Sequence, residues 1–250
     1  MSNVSRRRFL TTGLAATAGA SGLVYLANRY GLIPPDHGGL YGIGESLTYG
    51  SHRVLTSGRS MAREFDRSQI SKPPFANGKP PKDEAYKKHE AAGFADWRLR
   101  VDGLVARPTT FSLAELRSFP SRSQITHLAC EEGWSFIAEW TGVPLSHVLN
   151  LAGALPQAKY VVYFSAQQGW WDSIDMADAW HQQTLVTHGM NGGDLPVGHG
   201  APLRMRLPRQ LGYKSVKYLT HLTLTDSIKA FGKGLGSAAP EEGYSWYAGI

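Results

Sequence analysis

One cysteine occurs among 250 residues, within Ile125-Thr-His-Leu-Ala-Cys130-Glu-Glu-Gly-Trp134-Ser135. Residues 122–129 turn apolar toward their end and predict a strand. The two carboxylates, glycine and tryptophan that follow the cysteine predict a turn. A thiol at the mouth of a strand is placed to meet a ligand. Two chemistries suit that position, nucleophilic attack and ligation of a soft metal. A third reading is a small buried hydrophobe, the common behaviour of free cysteine. The stretch alone leaves all three open. A nucleophile would need a base, and His127, three residues upstream in the same strand, points to the opposite face.

Two further stretches could hold an anion. Pro196-Val-Gly-His199-Gly-Ala-Pro-Leu-Arg204-Met-Arg206 is a Gly/Pro loop running into a strand. Gln210-Leu-Gly-Tyr-Lys214-Ser215-Val216-Lys217 is a turn ahead of another. A dianionic phosphate needs fixed N–H donors with guanidinium or ammonium groups, and these loops offer both. Taken singly, each Arg or Lys reads as a solvated side chain and His199 as a hydrogen-bonded loop residue. No G-x-G-x-x-G or Walker pattern opens a helix here. The loop Gln167-Gln-Gly-Trp170-Trp171-Asp172 is aromatic and faintly acidic, so its tryptophans either line an entrance or simply pack.

The elements that must position these groups become legible from Trp97 onward. Trp97, Leu99 and Val101 alternate with Arg98, Arg100 and Asp102, the period of a half-buried strand. Ser112-Leu-Ala-Glu115 is a capping-box pattern that opens a short helix over 113–119. A second helix starts at Pro144 and stops at Gly153. Residues 159–165 form a continuous apolar run and predict a central strand. Residues 185–190, 203–207 and 216–225 predict further strands. Strands outnumber short helices, so the expected class is α+β, a single mixed domain that is mostly β.

Before that domain the chain changes character twice. Ser5-Arg6-Arg7-Arg8-Phe9-Leu10 precedes an uncharged run rich in Ala, Gly and Thr. That is the pattern of a twin-arginine export signal, and left uncleaved the same segment would be an N-terminal anchor. Residues 31–95 are rich in Gly, Pro and polar side chains and predict an irregular arm, solvated or laid across the body. The expected organisation is therefore a signal or anchor over 1–30, an arm over 31–95 and a domain over 96–250. The formal net charge of +6 includes Arg6, Arg7, Arg8 and Arg29 in a stretch without acids, leaving only +2 for the rest. Most of the basic character thus belongs to targeting, and a nucleic-acid surface is not expected. Export also makes an unpaired cysteine worth explaining.

From Trp97 to its end the chain resembles the sulfite-oxidase-type molybdopterin oxidoreductases, and within them the exported branch of the periplasmic methionine-sulfoxide reductase. The resemblance is carried by Cys130-x-Glu132-x-Trp134-Ser135, Trp140-x-Gly142-x-Pro144-Leu145, Lys159-Tyr160-Val161, Gly200-Ala-Pro-Leu-Arg204 and Gly212-Tyr-Lys214-x-x-Lys217, in that order. It implies that Cys130 is the thiolate ligand of molybdenum, beside the dithiolene of a molybdopterin. It implies further that Arg204, Ser215, Val216 and Lys217 hold the pterin phosphate. Ser165 stands where the family often has Thr contacting the cofactor, and His199 where some members have Asn. In the weakly matching arm, Asn77 is the single carry-over.

The implied activity is two-electron oxygen-atom transfer. Sulfite oxidation would require a cluster of positive charge for a small dianion, whereas Trp170 and Trp171 favour a neutral substrate such as methionine sulfoxide. One cysteine provides neither a C-x-x-C-H haem attachment nor an iron–sulfur ligand set, so neither haem nor an Fe–S cluster is expected. Electrons would then come through a partner such as a membrane cytochrome, and export would engage the twin-arginine machinery. A cysteine hydrolase and a non-enzymatic exported β module are the competing classes.

Overall fold

The computed structural model describes residues 42–56 and 60–250, with single positions at 22, 25, 26 and 33; the expected signal lies outside the described residues. In chain order the elements are α1 (Gly42–Thr56), α2 (Glu84–Ala91), β1 (Arg98–Gly103), β2 (Thr109–Ser112), α3 (Leu113–Ser118), β3 (Arg122–Ala129) and β4 (Ser135–Pro144). They continue with α4 (Leu145–Ala152), β5 (Tyr160–Ser165), β6 (Trp171–Asp175), α5 (Met176–Ala179), β7 (Leu185–Met190), β8 (Gly193–Asp194), β9 (Arg204–Arg206), β10 (Leu219–Thr225) and α6 (Ala238–Glu241). The fold is α+β and mostly sheet, as the sequence predicts.

Two sheets build the body. One runs β2-β1-β10-β5-β6, and the other β3-β4-β7-β8 with β9 paired to β7. Among the described residues, only β1 and β10 pair in parallel. Leu99 and Val101 of β1, Val161 and Tyr163 of β5, and Leu222 and Leu224 of β10 share one core with Val186 and Met205 of the second sheet and with Leu203 just before β9. On α4 the residues at i, i+3, i+4 and i+7 (Leu145, Val148, Leu149 and Ala152) are all fully buried, the apolar stripe of a surface helix. Gly153 ends α4 in the left-handed region at φ 71°. Ser112 and Glu115 form the capping box of α3 as read from the sequence.

Gly142 shows how the sheets constrain sequence. A Cβ there would lie 2.3 Å from the Val186 carbonyl oxygen, at the point where the β4–β7 register shifts. Only glycine permits that approach.

Several expectations change. Residues 31–95 are not irregular throughout, because α1 and α2 lie within them. On α1 the buried side chains are Glu45 and Tyr49, with Arg53 one turn further in ion pairs to Asp175 (2.6 Å) and Asp178 (2.8 Å). A helix that buries its polar face offers no apolar period to read. On α2 the sole buried residue is Tyr86, whose hydroxyl donates to the Ala201 carbonyl at 2.8 Å. The strand expected over 216–225 begins only at Leu219, since Tyr218 takes a positive φ of 56°. Trp171 and Asp172, expected in a loop, open β6.

A candidate cofactor cavity

The end of β3 delivers Cys130 into a tight turn. Its amide donates to the Trp134 carbonyl (3.0 Å), and the Gly133 amide donates back to the Cys130 carbonyl (3.1 Å). Gly133 takes φ 89°, which lets the chain reverse at once into β4. The Cys130 thiol donates to Glu131 Oε2 at 3.0 Å. Burial pushes this thiol up to about 12, and the adjoining Glu131 and Glu132 carboxylates act in the same direction against a backbone hydrogen bond at Glu132. On balance the groups around Cys130 favour the thiol over the nucleophilic thiolate. A cationic metal would invert that balance and hold it as thiolate.

A cradle of donors lines the same cavity as the thiol. The Arg204 guanidinium lies against the face of Trp140, 4.8 Å from the ring centre, and donates to the carbonyls of His199 (2.8 Å) and Ser215 (2.9 Å). Lys217 Nζ donates to the carbonyls of Asn77 (2.5 Å) and Gly198 (2.7 Å). Neither cation has a carboxylate partner among the described residues. Burial draws Arg204 down to about 10, and burial with the neighbouring Arg204 draws Lys217 down to about 8. Burial, then Arg204 and Lys217, hold His199 at about 4, hence neutral near pH 7. Gly200, at φ 107°, comes so close to this cradle that a Cβ would sit 2.7 Å from Lys217 Cβ.

The arm closes the remaining side. Asn77 Nδ2 donates to Glu132 Oε2 (2.8 Å), which also accepts from Trp134 Nε1 (2.6 Å). Phe75 packs on Trp134 with ring centres 5.0 Å apart. A cavity of about 440 Å³ results, the size of an ordinary small-molecule site.

Cys130, Asn77, His199, Arg204, Ser215, Val216 and Lys217 all line this one cavity, and Trp170 does too. Ser165 and Trp171 do not line it. Ser165 Oγ accepts from the Gln167 amide (2.9 Å) and shapes the turn that carries Trp170. Trp171 points elsewhere and stacks on Phe164, with ring centres 6.2 Å apart. Glu131, Tyr213, Glu242 and Tyr244 also line the cavity; Glu131 and Tyr213 stand inside the marked stretches, where the sequence gives neither a role of its own. Glu242 and Tyr244 arrive from the far end of the chain with no local motif.

The donor set fits a molybdopterin. A buried Arg204 and a half-buried Lys217 without carboxylate partners suit its phosphate, and a single thiolate suits a metal whose other ligands come from a dithiolene. Among the described residues no group of three His, Cys, Asp or Glu side chains could hold a metal unaided.

Fold and cavity together define a cofactor-dependent oxidoreductase domain. Residues 86–230 match the family model of the oxidoreductase molybdopterin binding domain, more than half of the chain, and the chain belongs to that family. It is 40% identical over 167 residues to the putative protein-methionine-sulfoxide reductase subunit YedZ1 of Azospira oryzae, covering 67% of this chain and 60% of that protein. It is 31% identical over 162 residues to the protein-methionine-sulfoxide reductase catalytic subunit MsrP of Xanthomonas axonopodis pv. citri, covering 59% of this chain and 50% of that one. The chain thus spans between half and two thirds of these relatives. The crystal structure of the sulfane dehydrogenase SoxCD from Paracoccus pantotrophus superposes with a TM-score of 0.51 at 26% identity, over 53% of this chain and 39% of that one.

Proposed function

We propose that this chain is the catalytic part of an exported molybdenum-cofactor oxidoreductase that reduces sulfoxides, methionine sulfoxide in particular. The observation that carries the reading is that the Cys130 thiol shares one cavity with Arg204, which is buried, and Lys217, which is half-buried, two cations whose partners here are carbonyls. The net reaction consumes two electrons and two protons and yields a sulfide and water. When bound, the cofactor supplies the two-electron atom-transfer centre.

The residues divide the remaining work. Cys130 ligates the metal. Arg204, Lys217 and the Ser215–Val216 segment hold the phosphate, with His199 as a neutral hydrogen-bonding neighbour. Asn77 and Phe75 cover the cavity from the arm and exclude water. Trp134, Trp170 and Tyr244 give the mouth an apolar lining suited to a thioether-like group. Glu131, Glu132 and Glu242 disfavour a small dianion there, which weighs against sulfite as substrate.

Arg204→Ala is expected to lower cofactor affinity by about 10- to 150-fold, since a hydrogen bond to a charged group is worth roughly 1.5–3 kcal/mol. Molybdenum content at limiting cofactor reads this loss, and Lys217→Ala should add to it only in part. Unchanged content in the double variant would remove both residues from the site.

The function itself is tested with the cofactor-loaded protein and a reduced viologen dye. Methionine sulfoxide should drive dye oxidation, and sulfite with an acceptor dye should not turn over. The reverse pattern would replace the reading with sulfite oxidation. The similar proteins named as reductase subunits support an electron-donating partner, which we place in the membrane as a cytochrome. Export by the twin-arginine route belongs to the same proposal. Replacing Arg6, Arg7 and Arg8 by Lys should leave folded, loaded protein in the cytoplasm, whereas normal export of that variant would remove the assignment.

A further inference from the structure

Arg206 ends β9, two residues beyond Arg204. Its side chain is buried, at 1% exposure, yet no carboxylate pairs with it among the described residues. Its Nη2 donates to Thr126 Oγ1 (3.0 Å) and to the His127 carbonyl (2.7 Å), three residues before Cys130, and its Nε has no partner. The guanidinium lies 5.4 Å from the centre of the Trp140 ring, the same ring that carries Arg204 at 4.8 Å. Two like charges therefore share one indole inside a low-dielectric region. Burial and Arg204 together hold Arg206 well below the ordinary arginine range. Such an arrangement is unfavourable for the protein alone, because an unpaired buried charge forfeits its hydration. Unlike Arg204, Arg206 does not line the cavity.

We propose that Arg206 is a counter-charge for the anionic cofactor, acting through space from behind Trp140 and the Cys130 strand without touching the bound group. It is an electrostatic support residue and not a ligand. The inference rests on the cofactor reading of the cavity. It separates two quantities that a purely structural arginine would move together. Removing the charge should stabilise the cofactor-free protein and weaken the loaded one.

The test compares the parent chain with Arg206→Met, similar in volume, and Arg206→Lys, which keeps the charge. Each is produced both with and without molybdenum-cofactor synthesis. Cofactor-free Arg206→Met should melt higher than the parent by about 2–4 °C. At limiting cofactor its molybdenum content should fall about 10-fold, and Arg206→Lys should recover most of it. A cofactor-free Met variant that melts lower than the parent, or fails to fold, overturns the proposal. So does a Met variant that retains molybdenum as the parent does. A folded parent that holds no molybdenum removes the cofactor reading itself, and this inference with it.

Discussion

Cys130→Ser is expected to abolish turnover while leaving most of the molybdenum in the protein. The substitution replaces a soft thiolate with a hard, weakly acidic hydroxyl, so the electronic character of the metal changes. The proposed phosphate cradle of Arg204, Ser215 and Lys217 stands on β9 and the turn before β10, and neither element depends on the thiol. Retention and activity should therefore separate, with an altered Mo(V) resonance spectrum as the signature. A cysteine buried only for packing predicts ordinary activity and an unchanged spectrum. A cysteine nucleophile predicts lost activity in a protein that never held metal. The second alternative is already weak on physical grounds, since burial, helped by the neighbouring carboxylates, pushes the thiol up to about 12.

The largest stability effect is expected behind the cradle, at Asp172 and Lys214. Lys214 Nζ lies 2.5 Å from Asp172 Oδ1 and 2.7 Å from the Ser173 carbonyl, with both charged side chains at 1% exposure or less. Burial pushes the Asp172 carboxyl up, and Lys214 opposes that shift. Lys214→Met should destabilise the fold by roughly 3–5 kcal/mol, because it strands a buried carboxyl. The melting temperature should fall by about 10 °C. Asp172→Leu combined with Lys214→Met should regain most of the loss, since no charge is then left unpaired. A single variant that melts with the parent would show that the pair is structurally idle. Lys214 also sits between Tyr213 and Ser215, so the single variant should lose molybdenum as the turn loosens.

Local rules made parts of this protein legible from its residues. The cap Ser112–Glu115, the stop at Gly153 and the alternating burial of β1 follow from short-range physics, and each lies where the sequence put it. The turn at Cys130 was equally visible, because two acids and a glycine are poor strand residues.

What failed was inference from polarity. Helix α1 docks through Glu45, Tyr49 and Arg53, so a search for an apolar face passes over it. Arg204 and Arg206 each read as solvated, yet both are buried on one indole. Trp171 and Trp170 are adjacent in sequence but diverge, because β6 begins between them and turns Trp171 toward Phe164. Glu242 and Tyr244 reach the cavity only through long-range packing, which no local pattern encodes.

The central claim is that this cavity holds a molybdenum–pterin group through Cys130 and the cationic cradle. Elemental analysis of the purified chain, made in a host that synthesises the cofactor, tests it most directly when combined with pterin fluorescence after oxidation. The account predicts stoichiometric molybdenum together with a pterin signal, both sharply reduced in the Arg204→Ala, Lys217→Ala double variant. Folded protein from the same host carrying neither metal nor pterin would contradict it.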